Sequence, residues 1–313
     1  MNVTNETPLE RVAYFNGSIL PESEVRLPMR DRGFKYGDAV FDMTRTFGHR
    51  IFKLKEHVDR LYQSLRYVGI EPEITPTEMI QRSEEVLAKN LPLIGKDDDY
   101  WVGQRITRGI DVPEGDPDSS HDGPNVIFEC TPLPLAQRAR LYRDGIDIVI
   151  PAIRRVGPES LSPRVKSHNY LNLIMADLEA KEHTSESWAI LLDSRGFLTE
   201  GIGSNLFLVK NGTIRTPKKQ GVLGGISRET VLELASASGM PVKESDLDLF
   251  DAYTADEMFL TSTSLCICPV RSVQGRLVGK YGAQGPITKQ LMDAYVSFVD
   301  FDWVSQYLNR IKS

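Results

Sequence analysis

The chain has little of what marks a specialised setting. Its 313 residues include three cysteines, Cys130, Cys266 and Cys268, and five histidines. An odd thiol count does not make a disulfide framework, and no Cys/His spacing completes a zinc site, so reduced thiols and no metal centre are expected. There is no apolar run long enough to span a membrane. The opening MNVTNETPLERV lacks a cationic stretch followed by an apolar one, so no secretory signal is expected. A basic excess is missing too: 37 Lys and Arg stand against 43 Asp and Glu, a formal charge of −6. That balance argues against a nucleic-acid-binding surface and leaves room for a local pocket that takes a small anion. Internal repeats and low-complexity tracts are absent. What is there is a globular composition, 41% hydrophobic and 26% charged, long enough for one large domain or two ordinary ones. The setting expected from these features is the cytoplasm.

Periodicity places the elements. RVAYFNGSIL reads as a hairpin turning at Asn16-Gly17, and YGDAVFDMTRTFGHRIFKL as a second turning at Gly48-His49. Val58, Leu61, Leu65 and Val68 give a helix from Lys55 to Val68 one apolar face. Another helix is expected over 76–89 with Thr75 as its cap. DYWVGQRITRG and PNVIFECTPL read as strands around the polar loop at 110–124, which is long enough to be functional or mobile. PLPLAQRARLYRDG, about 132–145, changes character to proline and arginine, and 134–145 read as a linker between a domain over 1–133 and one over 146–313. Beyond it, IDIVIPAI, WAILLDSRGFLTE, NLFLVKNGTIRTP, EMFLTST and CICPVRSVQGRLVG read as strands and hairpins. Helices are expected from Asn169, over 227–238 and over PITKQLMDAYVSFV. The first of these carries Leu171, Ile174, Met175 and Leu178 at helical spacing. Meandering strands with interspersed helices, lacking a regular βαβα alternation, indicate an α+β fold.

Four segments carry residues suited to chemistry. In VKSHNYLN, Lys166 leads the helix from Asn169. Lysine is the side chain that forms a Schiff base, although an exposed lysine at a helix end is the commoner case. Asn169 and Tyr170 offer hydrogen bonds beside it. In TEGIGSNLFLVKNG, Glu200 ends a strand against Gly201 and Gly203, with Ser204 and Asn205 next. That arrangement lets a carboxylate approach a flat ligand, or simply joins two strands. In GVLGGISRETVLELA, a glycine-rich turn runs into a helix whose first N–H groups and dipole suit an anion. Ser227 would equally serve there as an N-cap. The spacing is neither a Walker A loop nor G-x-G-x-x-G, so nucleotide binding is not indicated. FLTSTSLCICPV ends a strand in the hydroxyls of Thr261 to Ser264, suited to a phosphate or to a polar strand exit. Arg60, in KEHVDRLYQSL, lies opposite the apolar stripe of its helix or at its edge.

In order and spacing these segments resemble the fold-type IV pyridoxal-phosphate enzymes, the class IV aminotransferases. YGDAVFDMTRTF followed by LKEHVDRLYQSL is similar to the family's N-terminal signature. LTEGIGSNLFLVKNG, GVLGGISRETVLELA and ADEMFLTSTSLCICPVRSV are similar to the rest. The resemblance runs from Tyr14 to the last helix. It implies a two-domain, D-amino acid aminotransferase-like α+β fold, with a small N-terminal α/β domain and a larger C-terminal domain on a β-barrel-like sheet. It also implies a homodimer with active sites at the interface, and pyridoxal 5'-phosphate held as an aldimine on Lys166, which would shuttle the substrate's Cα proton. Glu200 corresponds to the carboxylate that keeps the pyridine nitrogen protonated, making the ring an electron sink. Arg60, the N–H groups of Ile226 and Ser227, and Thr263 correspond to the phosphate cradle. Leu223 corresponds to the residue under the ring and Tyr170 to a hydrogen bond on the ring hydroxyl, with Ser204 and Asn205 also on the cofactor.

The family's subgroups act on branched-chain L-amino acids, D-amino acids or (R)-amines, or eliminate pyruvate from aminodeoxychorismate. Phe41 and Arg45 in VFDMTR resemble the branched-chain pattern F-E-G-I-R, and Tyr36 its pocket tyrosine. Met43 stands where that pattern has glycine, and Gly103 where Y-I-R-P has arginine. The loop after Gly109 has no Arg-x-His pair of the well-known D-amino-acid enzymes, while ITRG and GAQGPIT look more like the (R)-amine group. Transamination between a branched-chain amino acid or (R)-amine and a 2-oxo acid is therefore expected. The D-amino acid transaminase, the lyase and a non-catalytic binding module are the alternatives. Tyr36, Phe41, Met43, Arg45, Trp101, Arg108 and Ser264 are expected around the substrate, with Arg45 or Arg108 as a mobile cation for the keto-acid carboxylate.

Overall fold

The computed structural model describes residues 10–110 and 123–311 and divides into two compact units, one ending at Leu133 and one beginning at Pro134. Most of the loop expected to be functional, residues 111–122, lies outside the described residues.

In the first unit, β1 (Val12–Phe15) and β2 (Ser18–Pro21) form the first hairpin, with Asn16 and Gly17 both at positive φ as a type I′ turn requires. After a short helix α1 (Arg32–Tyr36) come β3 (Ala39–Phe47) and β4 (Arg50–Ile51), turning at Gly48 and His49. Helices α2 (Leu54–Val68) and α3 (Pro76–Asn90) follow, then β5 (Tyr100–Thr107) and β6 (Val126–Pro132). Thr75 caps α3 through a reciprocal capping box with Glu78. The six strands pair antiparallel in the order β2-β1-β6-β5-β3-β4.

Alternation along β3, β5 and β6 separates two faces of this sheet. Val40, Asp42, Thr44, Val102, Gln104, Phe128 and Cys130 are buried, on the side that α2 and α3 cover with Val58, Leu61, Leu65, Met79 and Val86. Phe41, Met43, Trp101, Arg105, Ile127 and Glu129 occupy the other face, all partly exposed.

The second unit opens with a correction. The stretch expected as a linker is a helix, α4 (Leu135–Asp144), whose Leu135, Ala139 and Tyr142 are buried. Tyr142 stacks on Tyr307 at 4.5 Å and donates to the Leu265 carbonyl at 2.8 Å. Composition suggested a linker because three arginines interrupt the apolar residues that decide the matter. The strands β7 (Ile146–Val149), β8 (Trp188–Ala189), β9 (Asn205–Lys210), β10 (Thr213–Pro217), β11 (Val242–Ser245), β12 (Glu257–Ser262), β13 (Cys266–Val273) and β14 (Arg276–Leu277) make one eight-stranded mixed sheet. Its order is β11-β10-β9-β12-β13-β7-β8, with β14 on β13. Helices α5 (Leu171–His183), α6 (Ile226–Ala237), α7 (Leu249–Thr254), α8 (Pro286–Val299) and α9 (Trp303–Leu308) complete the unit, α7 and α9 being unforeseen from sequence.

Two further expectations change. Within WAILLDSRGFLTE, read as strand, a named strand forms only at Trp188–Ala189. The rest folds back on itself through a Leu192–Leu198 bridge and a Thr199 N–H to Leu191 carbonyl bond at 2.9 Å, with the Asp193 carboxylate accepting from the Arg195 and Phe197 N–H groups at 2.9 Å in the turn. Helix α5 is inverted relative to its expected stripe. Leu173, Ala176 and Ala180 pack on Val149, Ala189 and Leu191, while Leu171, Ile174, Met175 and Leu178 are 70%, 42%, 46% and 54% exposed. Alanines let a helix approach a sheet closely, so the bulkier stripe faces outward. All three cysteines are buried and outside any disulfide, and burial pushes the Cys130 thiol up to about 12, which leaves it unreactive. No group of three or more potential metal ligands occurs among the described residues.

Candidate active site

The chemistry-bearing residues of the second unit lie around the turns that join its strands. Glu200 and Asn205 form an isolated bridge at the head of β9, closed by a bond from the Gly201 N–H to the Ser204 carbonyl at 2.9 Å. The glycine-rich turn before α6 is tied to both residues. The Leu223 N–H donates to Glu200 Oε2 at 2.9 Å, and Asn205 Nδ2 donates to the Leu223 carbonyl at 3.0 Å. A Cβ on Gly225 would lie 2.2 Å from Asn205 Oδ1, so only glycine fits there.

Gly225, not Ser227, is the N-cap of α6, and it supplies no side-chain cap. The N–H groups of Ile226 and Ser227 therefore sit in a first turn that has no intrahelical acceptors for them. Thr261 pairs with Asn205 across β12 and β9, which sets the Thr263-Ser264 turn at the same end of the sheet. Ser204 Oγ and Thr261 Oγ1 are buried with no hydrogen-bond partner among the described residues. Ser264 is occupied structurally: its hydroxyl accepts from Arg138 on α4, and its carbonyl from the Tyr307 hydroxyl at 2.6 Å.

Glu200 is the electrostatic centre of this group. Its Oε1 accepts from Arg155 Nε at 3.1 Å. Burial pushes its pKa up, and it ends above the ordinary carboxylate value although Arg155, the Leu223 N–H and Lys166 all pull the other way. Arg155 was not singled out in the sequence, where it is one of two adjacent arginines in AIRRVG. Lys166 stands in the turn ahead of α5, and its Nζ donates to the Tyr170 hydroxyl at 3.2 Å. That helix starts at Leu171, two residues later than expected.

In the first unit, Arg60 on α2 binds Asp42 through two bonds, Nε to Oδ2 at 2.8 Å and Nη2 to Oδ1 at 2.7 Å. His57 Nδ1 lies 2.6 Å from the same carboxylate. Burial alone would raise the Asp42 pKa, but Arg60 and His57 outweigh it and hold the group far below the usual carboxylate range. Asp42→Asn should cost about 3–5 kcal/mol in chemical denaturation at neutral pH, the usual effect of breaking a buried ion pair. Because the folded pKa is depressed, this stabilisation is present above the unfolded value of about 3.9 and fades as pH falls below it. The gap between the two proteins should therefore close in acid; a constant gap would exclude the ion-pair account.

Both arginines expected as a mobile cation are engaged by the fold. Arg45 is fully buried, with Nε donating to the Thr46 carbonyl at 2.8 Å and Nη2 at 3.7 Å from Asp99. Arg108 binds Asp38 at 2.7 Å and the Val68 and Gly69 carbonyls, both at 2.8 Å, where α2 ends. Both are structural clamps. Tyr36 ends α1 and is 55% exposed, with Lys35 Nζ 4.8 Å from its ring centroid. Phe41, Met43 and Trp101 share the open sheet face, together with Arg105, which the sequence reading passed over.

The class IV amino-transferase model matches residues 39–273. A relative from Methanocaldococcus jannaschii, provisionally described as a branched-chain-amino-acid aminotransferase, is 38% identical over 90% of this chain and 94% of its own. The crystal structure of the Escherichia coli branched-chain amino acid aminotransferase superposes with a TM-score of 0.83 at 29% identity, over 93% of this chain and 95% of that one. The branched-chain amino acid aminotransferase from Thermobaculum terrenum, solved in its PLP form, gives 0.80 at 27% identity over 97% and 98%. With this sequence identity, this coverage and this fold, the chain belongs to the class IV aminotransferases and is a transaminase.

Proposed function

We propose that the chain holds pyridoxal 5'-phosphate on Lys166 and moves amino groups between an apolar donor, a branched-chain amino acid or an (R)-amine, and a 2-oxo acid. The observation that carries this reading is the buried Glu200 carboxylate, which accepts from Arg155 and the Leu223 N–H and whose pKa burial still pushes up. A buried carboxylate with Arg155 already beside it still lacks positive charge, and a protonated pyridine nitrogen would supply it. The fit extends to the uncapped N–H groups of α6, which suit a phosphate dianion. When bound, the cofactor supplies an electron sink for the electrons released at the substrate Cα.

The chain's residues would do the rest. Lys166 Nζ takes the Cα proton and returns it, and Glu200 keeps the proton on the ring nitrogen. Arg155 and the Leu223 N–H orient the Glu200 carboxylate. Leu223, Tyr170, Ser204 and Asn205 would hold the ring, Leu223 beneath it and Tyr170 at its hydroxyl. The N–H groups of Ile226 and Ser227, with Thr263, would bind phosphate, and the family resemblance assigns Arg60 to it as well. The apolar donor is supported by Phe41, Met43 and Trp101 on one open face and by the substrates named for the relatives. A homodimer is supported by the exposed apolar stripe of α5. The cytoplasmic setting is supported by three thiols that form no disulfide.

Incubation with pyridoxal phosphate should give a visible absorbance band, and borohydride should fix a pyridoxyl group on Lys166. L-leucine and (R)-1-phenylethylamine should bleach that band faster than D-alanine. No band and no label would overturn the proposal. A faster response to D-alanine would assign the chain to D-amino acid transamination instead.

A further inference from the structure

A transaminase receives a 2-oxo acid, and every 2-oxo acid carries a carboxylate, which a guanidinium binds with two charge-assisted hydrogen bonds. The two arginines expected to serve are clamped elsewhere, Arg45 by burial and Arg108 at the end of α2. Another arginine stands on the sheet face shared by Phe41, Met43 and Trp101. On β5, Arg105 lies opposite Phe41, with its guanidinium 5.2 Å from the Phe41 ring centroid. It pairs with Glu129 of β6 at 2.7 Å, and the two side chains are 33% and 28% exposed.

The space beside it is shaped by Gly103. Met43 stands directly opposite Gly103, and so does Glu129 from the other strand. A Cβ on Gly103 would meet Met43 Cε at 2.8 Å, Met43 Sδ at 3.1 Å and Glu129 Cγ at 3.3 Å. The missing side chain at 103 lets Met43 and Glu129 close over the strand. Positions 103 and 105 point to the same face because side chains alternate with a period of two. Apolar surface therefore covers position 103, and the partly exposed cation of this face, Arg105, stands two residues further along the strand, Arg45 on the same side being fully buried. We propose that Arg105 is the residue that recognises the substrate carboxylate, with Glu129 as its counter-ion when that carboxylate is absent. Exchange of Glu129 for a substrate carboxylate keeps the guanidinium paired in both states. An amine without a carboxylate and an acid with one can then use the same face.

This inference rests on the proposed function, since it takes Phe41, Met43 and Trp101 as substrate-facing. The test uses the pyridoxal-phosphate-loaded protein and two probes, 4-methylvalerate and its neutral amide. Arg105→Gln should weaken 4-methylvalerate binding about 10- to 100-fold, the loss expected for a charge-assisted hydrogen bond. Amide binding should change less than twofold. The KM for 2-oxoglutarate should rise more than kcat falls, and Arg105→Lys should restore part of the loss. Glu129→Gln, which removes the competing charge, should tighten 4-methylvalerate binding. If Lys166 takes the pyridoxyl label and Arg105→Gln binds the acid as tightly as the parent does, this inference fails while the proposed function stands. Equal losses for acid and amide would make the ion pair structural and overturn it too. A parent protein that takes no label overturns both.

Discussion

Lys166→Ala is expected to lower transamination at least about 10⁴-fold, because in the proposed function one side chain carries both the covalent attachment and the proton transfer. General acid–base help from a positioned group alone is worth about 10²–10⁴-fold, and loss of the nucleophile adds to that. Tyr170, 3.2 Å from Nζ, cannot take over. A phenol forms no Schiff base, so the covalent attachment would be lost whatever proton the hydroxyl could move. Lys166→Arg should be nearly as inactive, since a guanidinium keeps the charge but neither adds to a carbonyl nor gives up a proton at working pH. Methylamine should restore a measurable fraction to the alanine variant by supplying the missing amine from solution. Single-turnover bleaching with a good donor reads the chemistry directly, and thermal denaturation checks that the fold survives. Residual activity above about one per cent in a folded variant would remove Lys166 from the proton-transfer step.

Much of this was legible before the structure. Hairpins announced by Asn-Gly and Gly-His, the Thr75 cap and the long amphipathic helices were written locally, in residues that decide their own backbone conformation. The glycine-rich turn into α6 could also be seen, because an excess of glycine ahead of a helix needs a reason. Here the reason is Asn205 Oδ1, 2.2 Å from where a Cβ on Gly225 would stand. Other features depended on partners distant in sequence. Nothing local said that Arg108 would find Val68 and Gly69, or that Ser264 would receive Arg138. The α5 stripe was detected, but periodicity shows that a helix has two faces and not which one is covered. Arg155 and Arg105 were missed for a common reason. Each is one arginine beside others in AIRRVG or QRITRG, and only strand pairing and burial tell the members apart.

The second large effect is expected at Glu200. Glu200→Gln should lower kcat about 10²- to 10³-fold, the scale on which a single preorganised electrostatic contact acts in a buried site. An amide keeps the shape and the acceptor for the Leu223 N–H but cannot hold a cationic ring nitrogen. The raised pKa makes a second, independent test. In the cofactor-free protein, the folded state keeps a proton on Glu200 at pH values where an unfolded glutamate, near 4.3, has lost it. The stabilisation linked to that proton is complete below the unfolded value and is lost as pH rises through the folded one. The free protein should therefore lose stability as pH rises from about 4 toward neutrality, and Glu200→Gln should flatten that slope. Bound cofactor should flatten it as well, since a cation against the carboxylate lowers its pKa. Arg155→Met tests the same balance from the other side. Removing the guanidinium at 3.1 Å leaves burial less opposed, so the acid limb of the pH–rate profile should move to higher pH. A cofactor-free protein whose stability is indifferent to pH in that range, together with an unshifted acid limb in Arg155→Met, would show that Glu200 is charged without the ring. The carboxylate would then need no cationic ring nitrogen, and the strongest support for the cofactor's position would be gone.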